Sequence, residues 1–432
     1  MRFNEIPRFS FSDFRFGISG LATVPSAVHS PNRLRSLNAL RFLAALLVFS
    51  QHVPAFHAGD GYCGVVFFFI LSGFILTYTY QPTLARRCWP GVWRFWANRI
   101  ARIYPVHVLT FILFLPYWWP ALRVQPATYV SYACRNLTLT HAWSNDSHLY
   151  FSYNVPSWSL CNECFFYLCF PAMLWLLNRP AVRSWRFPIF IGALWLAQLS
   201  YCSRCDGPDF VWRAYINPSL RLIDFTIGML LALWFLQRKE TGLWQSFGLA
   251  TALELTAFGT LLLASCGGRG LSQAVRMGAF FTLPMAAIVF IFAHDAGVLS
   301  RLLSRQPFQF LGDISFSFFM LHYVLLGLWA KYEPMLGRGS CPEPLKQFLV
   351  IASSLAAAAF VFVVYERPIR GAIKAGLRPR LPPPSRPVFV CSGRVALEMS
   401  ASGPQVTQHV TRPAASVRSK NAQSEEFSRP SY

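Results

Sequence analysis

Leu37-Asn38-Ala39-Leu40-Arg41-Phe42-Leu43-Ala44-Ala45-Leu46-Leu47-Val48-Phe49-Ser50-Gln51-His52 is an apolar run that carries two basic groups, Arg41 and His52, with ten residues between them. In an α-helix, eleven steps of 100° return to within about 20° of the starting face, roughly 16 Å further along the axis. Ionisable groups inside a bilayer cost about 2.5–3.5 kcal/mol each on insertion scales, so they face a bundle interior or a wet cavity. If this run crosses a membrane, one stripe holds a permanent cation near one surface and a titratable imidazole towards the far half. That pairing predicts a reaction path through the membrane.

Working outward, the rest of the chain has the composition such a path needs. Of its 432 residues, 54% are hydrophobic, 16% aromatic and only 13% charged, and the mean hydropathy is +0.37. A soluble chain of this length carries nearer 25% charge. Apolar runs long enough to cross about 30 Å of hydrocarbon recur throughout. The expected fold class is all-α, a polytopic integral-membrane bundle of about ten transmembrane helices. The expected spans are 37–57, 63–80, 103–119, 157–178, 187–201, 218–236, 246–265, 277–294, 310–330 and 346–365.

The formal net charge of +21 is scattered between apolar segments, with no single-sign block set apart as a nucleic-acid arm. Basic residues instead orient the spans, because cytoplasmic loops carry the excess of Lys and Arg. Placing both termini inside puts Arg33, Arg35, Arg86, Arg87, Arg94, Arg99, Arg102, Arg179, Arg183, Arg186, Arg238, Lys239, Arg301 and Arg305 on the cytoplasmic side. A thinner set, including Arg123, Arg135, Arg204, Arg213, Arg269 and Arg276, remains outside. The longest outer loop, about 120–156, holds His141, Asp146 and His148 beside several aromatics, as a substrate entrance would. Membrane lipids are expected partners, and nucleic acid is not.

Most of the eleven cysteines fall in apolar segments, where they pack as small hydrophobes. Cys202 and Cys205 form a CxxC in an expected external loop, open to disulfide formation in an oxidising compartment; no further ligands are spaced for a metal. Residues 1–35 lack the apolar core of a signal peptide and read as a disordered cytoplasmic tail. Residues 373–432, rich in Pro, Ser and Arg, read as a second tail. The catalytic unit is therefore expected within 36–372.

Four polar constellations stand out. Arg99-Ile100-Ala101-Arg102 opens the third expected span and places two guanidiniums on one helix face. Arginine forks suit phosphate oxygens, and a helix N-terminus would add a favourable dipole. With Arg41 near the same surface, three arginines converge on a multiply phosphorylated molecule; topology anchoring explains them equally well. His52 reads either as a packed helix end or as a base that takes a proton from an attacking hydroxyl. Glu163 is the only carboxylate of its span, with Ser159 and Tyr167 one turn either side, and needs a cation or donor: a bundle arginine, or His52. Ser315 and His322, seven residues apart, share a face, where His322 hydrogen-bonds within the bundle or lines the same cavity. Gly64 and Ser72-Gly73 allow close helix approach.

Taken together, these segments resemble the membrane-bound acyltransferase family 3, bacterial O-acyltransferases that modify surface polysaccharides. The matches run in the family's order over about residues 35–372: the R-x10-H from Arg41 to His52, Phe67-Phe68-Phe69-Ile70-Leu71-Ser72-Gly73-Phe74, and Arg99-x-x-Arg102-Ile-Tyr-Pro. Then come Trp158-Ser159-Leu160-x-x-Glu163-x-x-Phe166-Tyr167, the Ser315-to-His322 helix and Glu366-Arg367-Pro368. The resemblance implies a ten-helix bundle in the bacterial inner membrane that takes an acyl group, commonly acetyl, from cytoplasmic acyl-CoA and passes it to a hydroxyl of an extracytoplasmic or lipid-linked carbohydrate. Acyl-CoA is then a co-substrate, with no bound cofactor and no metal. Carried over, the resemblance makes His52 and Glu163 catalytic, and Arg41, Arg99 and Arg102 donor-binding. Ser72, Trp158, Tyr167 and His322 become substrate-binding or pore-lining. Whether His52 acts as base or carries the acyl group transiently stays open. The rival reading is a glycolipid or small-anion transporter whose arginines clamp headgroups.

Overall fold

Hydrocarbon offers a backbone no water to bond, so each spanning segment must pair its own N–H and C=O groups, and these sequences do so as helices. The computed structural model describes residues 34–53, 60–84, 89–178, 184–238, 244, 246–332 and 342–376. Of the expected tails, residues 1–33 and 377–432 lie outside the described residues; Arg35 and residues 373–376, expected in the tails, are helical instead. The helices are α1 Arg35–Gln51, α2 Tyr62–Leu84, α3 Trp89–Val124, α4 Pro126–Leu137, α5 Ser157–Leu177, α6 Phe187–Cys202, α7 Pro218–Arg238, α8 Phe247–Gly267, α9 Thr282–Phe292, α10 Gln306–Tyr332, α11 Glu343–Val361 and α12 Arg367–Gly376. No strand occurs among the described residues.

Eight helical stretches among these residues are long and apolar enough to cross a membrane, and they contain α2, α3, α5, α7, α8, α9, α10 and α11–α12. The chain is a multi-pass membrane protein. At 16 and 17 residues, α6 and α1 are shorter. Packing puts α1 at the centre of the side that matters here. A Cβ at Gly64 would collide with the Ala44 carbonyl, and one at Gly312 with the Asn38 carbonyl, so α2 and α10 grip α1 backbone to backbone. The same device joins α2 to α7, where Gly73 faces the Phe225 carbonyl and Gly228 the Ile70 carbonyl. Small residues provide this approach where lipid gives no hydrophobic drive between helices.

Two boundaries differ from the sequence reading. The first helix stops at Gln51 and leaves His52 as its C-terminal cap. The third starts at Trp89, not near 103, and runs 36 residues through Pro105, Pro116 and Pro120. Pro90 occupies the first turn, where proline's fixed φ is compatible with a helix. Arg99 and Arg102 therefore lie ten or more residues inside the helix, beyond reach of an N-terminal dipole that acts within the first turn. A helix N-terminus therefore adds nothing to anion binding at these two arginines.

Arg221 and Asp224, which the sequence reading passed over, form a buried clamp. A π-turn shifts the backbone register and frees carbonyls at its ends; such turns occur at Trp212–Ile216 and Arg276–Phe280. Arg221 donates Nε to Tyr215 O at 2.8 Å, Nη1 to Gly278 O at 3.0 Å and to Asp224 at 2.9 Å, and Nη2 to Ala214 O at 2.8 Å and Met277 O at 2.6 Å. All five donors of the guanidinium are used. Asp224 also accepts from Gln198 at 3.2 Å and Thr282 at 2.8 Å. Both charged side chains are fully buried, and removing one partner of such a pair costs about 3–5 kcal/mol. Arg221→Met is accordingly expected to lower the thermal midpoint in detergent and the membrane yield; a wild-type midpoint would show that the π-turns hold without the clamp.

Candidate active site

Two chambers lie back to back beside α1. The smaller, about 190 Å³, is lined by Asn38 and Arg41 of α1, Ser72 of α2, Arg99 and Arg102 of α3, Ser159, Glu163 and Tyr167 of α5, and Phe316 of α10. The larger, about 1390 Å³, is lined by His52 and Gln51 at the end of α1, with Tyr62, Tyr117, Trp118, Tyr153, Trp158, Tyr215, Arg276, Tyr323 and Trp329. Val65 and Phe319 line both. Phe319 packs on Phe68 of the first chamber, ring centroids 5.6 Å apart. A thin apolar partition thus separates an arginine chamber from a histidine chamber.

In the arginine chamber, Arg99 Nη2 donates to the Tyr80 hydroxyl at 3.2 Å, while its Nε is buried with no partner. No carboxylate among the described residues forms a salt bridge with Arg41, Arg99 or Arg102. Glu163 accepts from the Tyr167 hydroxyl at 2.5 Å and balances the three cations only at longer range. Unpaired guanidiniums in an apolar bundle are costly, and a phosphate-bearing ligand would relieve that cost. Two further cations reach this place. The buried Glu366 accepts from Ser317 at 2.6 Å and from Arg370 at 3.4 Å, and Arg370 and Lys374 of α12 come within electrostatic range of Arg99 and Arg102. Their i,i+4 spacing after Glu366-Arg367-Pro368 was the signal that could have found them.

In the histidine chamber, His52 is exposed to the cavity. Its ring centroid lies 5.3 Å from that of Tyr323 and 5.4 Å from that of His322. An ion pair between Arg276 and Asp60, with the Tyr62 hydroxyl on the same carboxylate, closes one wall. Tyr153 is held at φ 56°, rare for a bulky residue. Its hydroxyl donates to Tyr129 O at 2.8 Å, and its ring packs on Phe111 with centroids 4.4 Å apart.

The structure therefore gathers Arg41, Arg99, Arg102, Ser72, Glu163 and Tyr167 in one chamber, and His52 and Trp158 in the other. His322 lines neither; it is fully buried behind His52. Glu163 does not orient the imidazole as one sequence reading had it, because two turns into α5 it sits at the depth of the arginines. The 120–156 segment contributes Phe151, Tyr153, Val155 and Pro156 to the histidine chamber, but not its polar residues. Asp146 caps the turn Ser147–Tyr150 through His148 N at 2.9 Å and accepts from Tyr132 at 2.7 Å. His141 is buried against Ser157 at 3.2 Å; burial, with His107 nearby, pushes its imidazole down to about 3, so it stays neutral. Cys202 and Cys205 are buried free thiols. No group of three metal-ligating side chains is assembled among the described residues.

The profile of the acyltransferase domain family matches residues 34–365. Acyltransferase MdmB of Streptomyces mycarofaciens is 27% identical over 325 residues, covering 68% of this chain and 79% of that protein. O-acetyltransferase OatA of Staphylococcus aureus is 26% identical over 326 residues, 69% of this chain and 51% of its own. Peptidoglycan O-acetyltransferase OatA of Listeria monocytogenes is 24% identical over 370 residues, 79% of this chain and 56% of its own. The chain thus spans about half the length of the two OatA relatives. No solved structure matches it.

Proposed function

This chain belongs to that acyltransferase family, and from that premise we propose that it moves an acetyl group across the membrane plane, from cytoplasmic acetyl-CoA to a hydroxyl of an extracytoplasmic or lipid-linked carbohydrate. The observation that carries the reading is the pair of chambers with a shared partition: unpaired arginines on one side, an open imidazole on the other. Arg41, Arg99 and Arg102 hold the donor phosphates. The excess of basic residues at that end of the helices argues that it faces the cytoplasm, with ten spans and both termini inside. The roughly 16 Å of α1 between Arg41 and His52 is then covered by the extended pantetheine arm, which passes Val65 and Phe319.

On the far side, the flat faces of Trp118, Trp158, Tyr215 and Trp329 suit the C–H face of a sugar ring, with tyrosine hydroxyls at their edges. His52 accepts the proton of the acceptor hydroxyl as its oxygen attacks the thioester carbonyl. The tetrahedral intermediate breaks its C–S bond, and the imidazolium returns the proton to the departing thiolate. Holding both reactants in one conduit supplies proximity, and base catalysis typically adds about 10²–10⁴-fold.

The test is purified protein in proteoliposomes given acetyl-CoA labelled in its acetyl carbons, with cell-wall glycan in the opposite compartment. Label is expected on glycan hydroxyls as an alkali-labile ester. Label remaining on CoA while glycolipid or anion crosses the bilayer would instead establish the transporter reading.

A further inference from the structure

His322 is a buried imidazole that the reaction as drawn above does not use. Its Nδ1 lies 2.6 Å from the carbonyl oxygen of Phe319 in its own helix. A carbonyl only accepts, so Nδ1 carries the proton, and Nε2 holds a bare lone pair. That Nε2 is buried and has no hydrogen-bond partner, which leaves a costly defect in an apolar bundle. The other rings around it are Phe49, Phe318, Phe319 and Tyr323, with centroids 5.9 to 6.5 Å away; the phenylalanines have nothing to donate, and the Tyr323 hydroxyl makes no bond to Nε2. His52 is closer, with centroids 5.4 Å apart and planes tilted by 35°. Two imidazoles joined edge to edge by an N–H···N bond of about 3 Å would show nearly this spacing. His52 caps α1 and opens to the chamber, so rotating its ring is unhindered by packing on that side.

Resting on the proposed acyl transfer, we propose that Nε2 of His322 accepts the second ring N–H of His52 and so acts as the positioning residue for the base. The bond fixes the tautomer of His52, leaving its other nitrogen bare towards the chamber, where the acceptor hydroxyl arrives. When that hydroxyl gives up its proton, His52 becomes an imidazolium whose far N–H points at the lone pair of His322. His322 stays neutral throughout and exchanges no proton. The proton taken from the acceptor leaves His52 for the sulfur of the departing CoA thiolate, so atoms and charge balance without a further reactant. Phe319 ties the device to the partition: the residue whose carbonyl sets the tautomer of His322 also forms the wall past which the donor arm must reach.

The experiment compares wild type with His322→Phe and His322→Gln in proteoliposomes. Kinetics of glycan acetylation are read together with the equilibrium affinity for acetyl-CoA. His322→Phe keeps the bulk and removes the acceptor; kcat should fall roughly 10²-fold with donor affinity and donor KM unchanged. His322→Gln restores an acceptor oxygen and should recover most of kcat. Wild-type kcat in His322→Phe overturns the proposal, as do equal losses in both variants, which would mean that only packing is at stake. If the Phe variant does not accumulate, His322→Met serves as the apolar arm against Gln. Failure of the acyl-transfer reading itself looks different, because then wild type transfers no label to begin with.

Discussion

His52→Ala is expected to bind acetyl-CoA as the wild type does and to acetylate glycan about 10²–10⁴-fold more slowly. The two halves of this result follow from the separation of the chambers. On the proposed reading donor affinity resides in Arg41, Arg99 and Arg102, which line a cavity that His52 does not touch. The proposed base sits at the cap of α1, where its side chain is exposed to a chamber of about 1390 Å³ and borders the rings of His322 and Tyr323. Thermal stability in detergent should therefore stay near wild type. With His52 acting as base, as proposed, protein quenched after incubation with labelled donor but no glycan should carry no covalent acetyl. A hydroxylamine-labile adduct that vanishes in His52→Ala would convert the role to acyl carrier. Wild-type transfer by His52→Ala would remove the histidine from the chemistry altogether.

The parts of this arrangement differ in how visible they are in the sequence. Helical segments announce themselves through unbroken apolar length: each of the ten expected segments overlaps a described helix, though residues 54–57 of the first lie outside the described residues, and eight helical stretches are long and apolar enough to cross a membrane. The grouping of Arg41, Arg99 and Arg102 was legible because a guanidinium in an apolar helix must face a polar interior. Depth was not. Glu163 and His52 look like partners when only residue types are compared, yet seven residues of α5 place the carboxylate about 10 Å from its N-terminal end. Arg221 and Asp224 carried the same signal as Arg41, ionisable groups three apart in an apolar span. What the sequence hid was the pair of π-turns whose freed carbonyls make them structural. Glu254 is similar: its carboxylate accepts from Gly297 N at 3.0 Å and Leu299 N at 2.8 Å, capping the turn Val298–Leu303 from another helix. Tertiary bonds of this kind have no local signature. The partition by Val65 and Phe319 has none either, since both residues read as ordinary core.

The second large effect lies in the arginine chamber. Arg102→Gln should weaken acetyl-CoA binding roughly 10- to 100-fold, the loss of one charge-assisted pair worth about 1.5–3 kcal/mol, with kcat at saturating donor little changed. Arg102→Lys should recover only part, because an ammonium keeps the charge but not the fork. The sharper measurement uses acetyl-pantetheine, which presents the same thioester without phosphates. Wild type should use it poorly, and Arg102→Gln no worse than wild type, so the effect of the substitution disappears with the phosphates. This double comparison isolates the pairwise interaction from any general disturbance of the bundle. A topology anchor predicts the opposite pattern, in which Arg102→Gln lowers membrane insertion and slows both donors alike. The structure already leans against the anchor, since a headgroup anchor belongs at the lipid surface, whereas Arg102 lines an internal cavity with Glu163, Tyr167 and Arg41. Equal slowing towards acetyl-CoA and acetyl-pantetheine would end the assignment of this chamber to the donor phosphates.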